Sequence, residues 1–201
     1  MSVSRTEQDS LGTMQVPNDA LYGAQTARAL ANFPISGRPL SRPLLRALGL
    51  VKQYAARANR ELGLLPVPVA GAIIAAAQEV VAGDLDSHFP VDVFQTGSGT
   101  SSNMNMNEVL ARLATQHGGQ QVHPNDHVNC SQSTNDAYPT AIKLGVWFTL
   151  RDTLGGMREL KTALEAKAKE FADVIKMGRT ENQDAVPMTL GQEFSAYAVM
   201  I

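Results

Sequence analysis

The sequence predicts a mainly α-helical protein, and three observations carry that prediction. Apolar residues recur at alternating three- and four-residue steps through most of the chain. Helix-entry residues and glycine stops bracket several of those stretches, and the longest stretch, after Pro139, suits a bundle better than a small compact domain.

The first part, through about Pro39, is rich in turn residues such as Val16-Pro17-Asn18-Asp19 and Ile35-Ser36-Gly37, so it reads as largely irregular with a short helix near Thr26 to Asn32. Ser41 then offers an N-cap and Pro43 suits a first helical turn. Leu44, Leu48, Val51, Ala55, Ala58 and Leu62 predict one amphipathic helix that stops near Gly63. A second helix is expected from about Pro68 to Ala82, closed by Gly83, with alanines that imply close packing. Asn103 to about Gln116 predicts a third, with Val109, Leu110 and Leu113 inward and Glu108 and Arg112 outward.

After Pro139, the residues Val146, Leu150, Leu154, Met157, Leu160, Leu164, Ala168 and Phe171 fall on one face despite Gly155 and Gly156. Such a helix would span roughly 50 Å at the usual rise. Asp173 to Met177 reads as extended, and another helix starts at about Thr189. The chain stops on an apolar run with no closing glycine, asparagine or proline, so a fragment of a longer protein is expected.

Composition narrows the class. A chain of 201 residues, 44% of them hydrophobic, can bury a substantial core. The formal charge of -2 and scattered basic residues leave no stripe for nucleic acid or an anionic membrane. The charged start, with no long apolar stretch after it, leads to a cytoplasmic expectation. Cys130 is the one cysteine, cannot form an internal disulfide, and lacks the surroundings of an activated thiol.

Four polar stretches interrupt the helical pattern. Gly97-Ser98-Gly99-Thr100-Ser101-Ser102-Asn103 reads as an anion cradle, with turning amides and hydroxyls at a helix start. No GK[ST] follows, which argues against a nucleotide loop; a glycine loop that only caps a helix is the plain alternative. His123-Pro124-Asn125-Asp126-His127 invites a metal hypothesis, but the proline opposes two histidines on one helical face, and no metal is called for. Ser133-Thr134-Asn135 presents two hydroxyls and an amide before a helix, suited to a second part of one anion or to capping. Arg179-Thr180-Glu181-Asn182-Gln183-Asp184 reads alone as a solvated loop with Arg179 paired to Asp184.

Together with Glu7-x-Asp9-x-x-Gly12, Val16-Pro17, Tyr22-Gly23, Thr26, Arg28 and Asn32-Phe33, these motifs resemble the fumarase/aspartase superfamily of lyases from about Arg5 onward. The resemblance implies the N-terminal domain of that fold over 1–137 and the start of its long central helical bundle over 138–201. It implies substrate contacts at Ser98, Gly99, Thr100, Ser133, Thr134 and Asn135, a catalytic pair at Thr180 and Glu181, and a secondary anion site at His123, Pro124, Asn125 and Asp126. It further implies reversible anti elimination from a C4 dicarboxylate without a cofactor, in a homotetramer whose sites combine subunits. The family's catalytic serine loop lies beyond the positions present, so the isolated chain is expected to be inactive.

The family carries histidine or glutamine where this chain has Glu181. A carboxylate there would repel a substrate carboxylate but pair with a substrate ammonium. The stretch around it, Lys176 to Thr180 and Gln183 to Phe194, is also more similar to aspartases, whereas Gly97 to Thr100 and Asn105 to Glu108 are closer to the fumarase version. The sequence-based expectation is an ammonia-lyase acting on aspartate, with a fumarate hydratase as the alternative and a noncatalytic helical oligomerisation module as the competing class.

Overall fold

The computed structural model describes residues 4–201. Its first element is a hairpin where irregular chain was expected: β1 (Ser4–Asp9) pairs antiparallel with β2 (Gly12–Pro17) in register Ser4↔Pro17 to Asp9↔Gly12. Its side chains are mostly polar, so the alternation that marks a half-buried strand is weak in the sequence; Val16 alone is fully buried. Arg5 ties the hairpin down by donating to the Pro17 carbonyl and, at 2.7 Å, to that of Tyr22.

Helix α1 (Ala24–Asn32) follows, then α2 (Arg42–Glu61), α3 (Val67–Ala82), α4 (Thr100–Gly118), α5 (Thr134–Glu170), a second antiparallel hairpin of β3 (Ile175–Thr180) and β4 (Gln183–Thr189), and α6 (Leu190–Met200). The mainly helical fold class is as expected. The chain divides into two compact units, Met1–Phe148 and Thr149–Ile201.

In the first unit, α3 packs against both α2 and α4. Leu48, Val69, Ile73, Val80, Met106, Val109 and Leu110 form its fully buried centre, and Ala70, Ala76 and Ala77 let the helices approach closely. The buried stripe of α2 is turned by about one residue from the predicted one. It runs through Leu45, Leu48, Lys52, Ala56 and Asn59, whereas Leu62 is 72% exposed. Apolar periodicity passes over a stripe that includes a lysine and an asparagine.

Glu108 is also turned inward, not outward. It accepts from the amides of Gly23 (2.9 Å), Gln25 (2.8 Å) and Thr26 (3.1 Å) and from Thr26 Oγ1 (2.6 Å). The first turn of α1 has no side-chain cap from its own N-cap residue, Gly23. A carboxylate from α4 replaces that cap and satisfies donors that would otherwise be buried unpaired. Asp92 does the same for a loop, accepting from the amides of Ser36 (2.6 Å), Gly37 (2.7 Å) and Phe94 (2.8 Å) and from Ser36 Oγ.

Helix α5 starts before Pro139 rather than after it. The proline lies inside the helix, in its second turn, where its missing N–H removes the bond that would go to the Asn135 carbonyl. The predicted apolar face of α5 exists but is largely open to solvent within this chain: Val146 is 56% and Leu160 48% exposed. In the second unit, Thr189 and Gln192 form a reciprocal capping box at the entrance of α6, where the sequence places a helix start. Among the described residues, no helix is long and apolar enough to cross a membrane.

Replacing Glu108 with alanine should lower the unfolding free energy by about 3 kcal/mol, because several donors lose their acceptor at once. Urea denaturation followed by circular dichroism measures this, and the near-isosteric Glu108→Gln should lose less. For Asp92, burial pushes the carboxyl up, but donors from Phe94, Ser36 and Gly37 outweigh it and hold the pKa down at about 2. Its stabilisation is therefore complete above the ordinary carboxylate range and is lost as pH falls through that range towards about 2. Asp92→Asn should flatten this part of the stability–pH curve.

Candidate functional site

Two helix starts converge in the first unit. The loop Thr96–Gly99 closes with a 2.9 Å bond from the Gly99 amide to the Thr96 carbonyl and hands the chain to α4. Gln95 braces the entrance, accepting from the Ser102 amide (2.9 Å) and donating to Ser102 Oγ (2.6 Å). Gly99 is at φ +76°, and a Cβ added there would run into the ring of Tyr138 on α5. Glycine is required twice over, by the backbone angle and by the ring packed on it.

In the first turn of α4, Asn103 Nδ2 donates to Thr134 Oγ1 at 3.1 Å. This bond joins α4 to the first residue of α5, and the two positive helix ends share one neighbourhood. At the rim, Ser98 Oγ and Thr100 Oγ1 lie 3.0 Å apart, both exposed. Ser133 Oγ accepts from the Asn135 amide at 3.1 Å, capping α5 while its own proton stays available. The structure thus brings the start of α4, which carries Ser98, Gly99 and Thr100, beside the start of α5, which carries Ser133, Thr134 and Asn135.

Asn103, which the sequence offers as a ligand donor, is instead 1% exposed and bonds inward. Its Nδ2 also reaches Asn129 Oδ1 at 3.2 Å. Asn129 Oδ1 further accepts from Asn107 Nδ2 (3.1 Å) and from Lys52 Nζ (3.0 Å), and Lys52 Nζ donates to Gln132 Oε1 at 2.9 Å. Lys52 is fully buried, with no carboxylate in ion-pair reach among the described residues. Burial pushes its ammonium down to about 7. Sequence reasoning did not connect Lys52 with Asn129 and Gln132. The available signal was a lysine in step with Leu45, Leu48 and Ala56 on the core face of α2.

His123 to Asp126 form a separate feature. Pro124–Val128 makes one turn of π-helix, capped where His123 Nδ1 accepts from the Asp126 amide at 3.2 Å, and His127 Nδ1 accepts from the His123 amide at 2.9 Å. His123, Pro124 and Asn125 line a cleft of about 700 Å³ with Glu7, Asp9, Glu108 and Arg112, whereas Asp126 does not. The acids of this cleft are already engaged: Glu7 by Arg5 and Arg112, Asp9 by Arg28, and Glu108 by the start of α1. None of the donors at the two helix starts lines it.

Thr180 and Glu181 belong to the second unit, at the tip of the β3–β4 hairpin. Thr180 pairs with Gln183, which leaves Glu181 (φ +50°) and Asn182 (φ +64°) as a two-residue turn in the left-handed region. Asparagine suits that region, whereas glutamate is strained there by about 1 kcal/mol. Both Thr180 and Glu181 are exposed, and Arg179 pairs with Asp184 at 3.1 Å beside them.

Comparison with known proteins places these features in a family. Residues 12–201 match the Lyase family. A class II fumarate hydratase of Halobacterium salinarum is 56% identical over 98% of this chain and 43% of its own length. A crystal structure described as fumarate lyase:delta crystallin from Brucella melitensis superposes with a TM-score of 0.85 at 50% identity, covering 98% of this chain and 45% of that one. The class II fumarase of Schistosoma mansoni gives a TM-score of 0.83 at 43% identity over 98% of this chain and 43% of that one. The chain spans less than half the length of these relatives. It belongs to the fumarase/aspartase superfamily of lyases, whose fold it matches in the N-terminal part.

Proposed function

We propose that the chain is the N-terminal part of a class II fumarate hydratase, which interconverts malate with fumarate and water. The observation that carries this reading is 56% identity to a class II fumarate hydratase along nearly the whole chain. It reverses the preference for an ammonia-lyase, which rested chiefly on Glu181. That exposed carboxylate is what favours aspartate as a second reading.

In the proposed reaction a base removes a proton beside one carboxylate, and the extra charge collects on that carboxylate as an aci-dianion. Thr100, Ser133, Thr134 and Asn135 supply neutral donors to this charge, helped by the two helix ends behind them. The family resemblance extends the proposal to Thr180 and Glu181 as a catalytic pair on the β3–β4 hairpin. His123, Pro124, Asn125 and Asp126 form a secondary anion site, and the full-length protein assembles as a homotetramer.

A coupled assay on the full-length protein tests the choice of leaving group. Malate should form from fumarate faster than aspartate forms from fumarate and ammonia; the opposite order would establish the second reading. Thr134→Val should lower kcat/KM by about 10²-fold, the scale on which a single donor to a developing oxyanion acts.

A further inference from the structure

We infer that Lys52 is a positioning residue that sets the hydrogen-bond polarity of Thr134, through Asn129 and Asn103, so that the Thr134 hydroxyl donates to an anionic ligand. The role rests on the dicarboxylate reading of the site.

A carboxamide can be turned either way, but an ammonium, the form Lys52 takes below about pH 7, can bond only to its oxygen. Lys52 Nζ, 3.0 Å from Asn129 Oδ1, therefore fixes Asn129 with that oxygen towards α4. The Asn129 Nδ2 is held on the other side by the Gln132 carbonyl at 3.1 Å. Facing an acceptor, Asn103 must present its NH2, and the same Nδ2 reaches Thr134 Oγ1. The Thr134 oxygen is then occupied as an acceptor, and its proton is left for a ligand. The arrangement leaves Asn103 Oδ1 and Asn107 Oδ1 buried without a hydrogen-bond partner, an unfavourable outcome that the fixed orientation of Asn129 imposes.

Without the cation, only the neutral bond to the Gln132 carbonyl orients Asn129, and once that bond is given up its NH2 can turn towards α4. Asn103 can then turn its oxygen to Thr134, whose proton would be drawn inward and lost to the ligand. A charge-assisted bond at the far end of the relay thus decides the sense of the bonds at the near end.

The test is a double-mutant cycle on the full-length protein, read as the inhibition constant of succinate on the acid side of the Lys52 pKa of about 7. Lys52→Met and Thr134→Val should each weaken succinate by about tenfold, and the double variant should be no weaker than the worse single one. A merely structural defect at Lys52 would add to the Thr134 effect instead of being absorbed by it. Should Lys52→Met not fold, Asn103→Asp replaces it in the cycle, since an acceptor at that position draws in the Thr134 proton directly. Wild-type affinity in the folded Lys52 or Asn103 variant, or effects that multiply, would overturn the role. If the unaltered protein neither binds succinate nor turns over fumarate, the functional reading fails, and this role with it.

Discussion

Three donors meet on one oxygen, Asn129 Oδ1, and the placement of the two helix starts in the first unit depends on that meeting. Lys52 comes from α2, Asn103 and Asn107 from α4, and Asn129 from the chain leading to α5. The contact therefore ties the helical core to both loops that carry candidate ligand donors. Buried polar clusters of this kind have few alternative arrangements once a charge is included, because each amide is constrained by its neighbour.

The same device recurs with negative charge. Glu108 caps α1 from a distant helix, and Asp92 closes the loop at Ser36 and Gly37. In each case a buried charged group satisfies backbone or side-chain partners far away in sequence. Such groups are costly to leave unpaired, so each fixes the relative placement of the segments it joins.

The helices were legible in the sequence because their periodicity and stops are local properties. The hairpin Ser4–Pro17 was not, since its strands are short, polar and held partly by Arg5 reaching across them. The outward placement of Glu108 was wrong for a related reason: its partners at Gly23 to Thr26 are more than 80 residues away. The two donor loops stood out by composition, and their convergence did not. It depends on Tyr138 over Gly99 and on Asn103 reaching Thr134, which no local pattern encodes. Glu181 shows the opposite limit, a single departure from a family pattern given more weight than the rest of the chain supports.

If the starts of α4 and α5 form one site for a C4 dicarboxylate, a ligand must engage both at once. A crystal structure of the full-length protein with succinate should therefore show a carboxylate within hydrogen-bond reach, about 3 Å, of both Thr100 Oγ1 and Thr134 Oγ1. Succinate held only in the cleft beside His123, or by one of the two loops without the other, would refute a shared site.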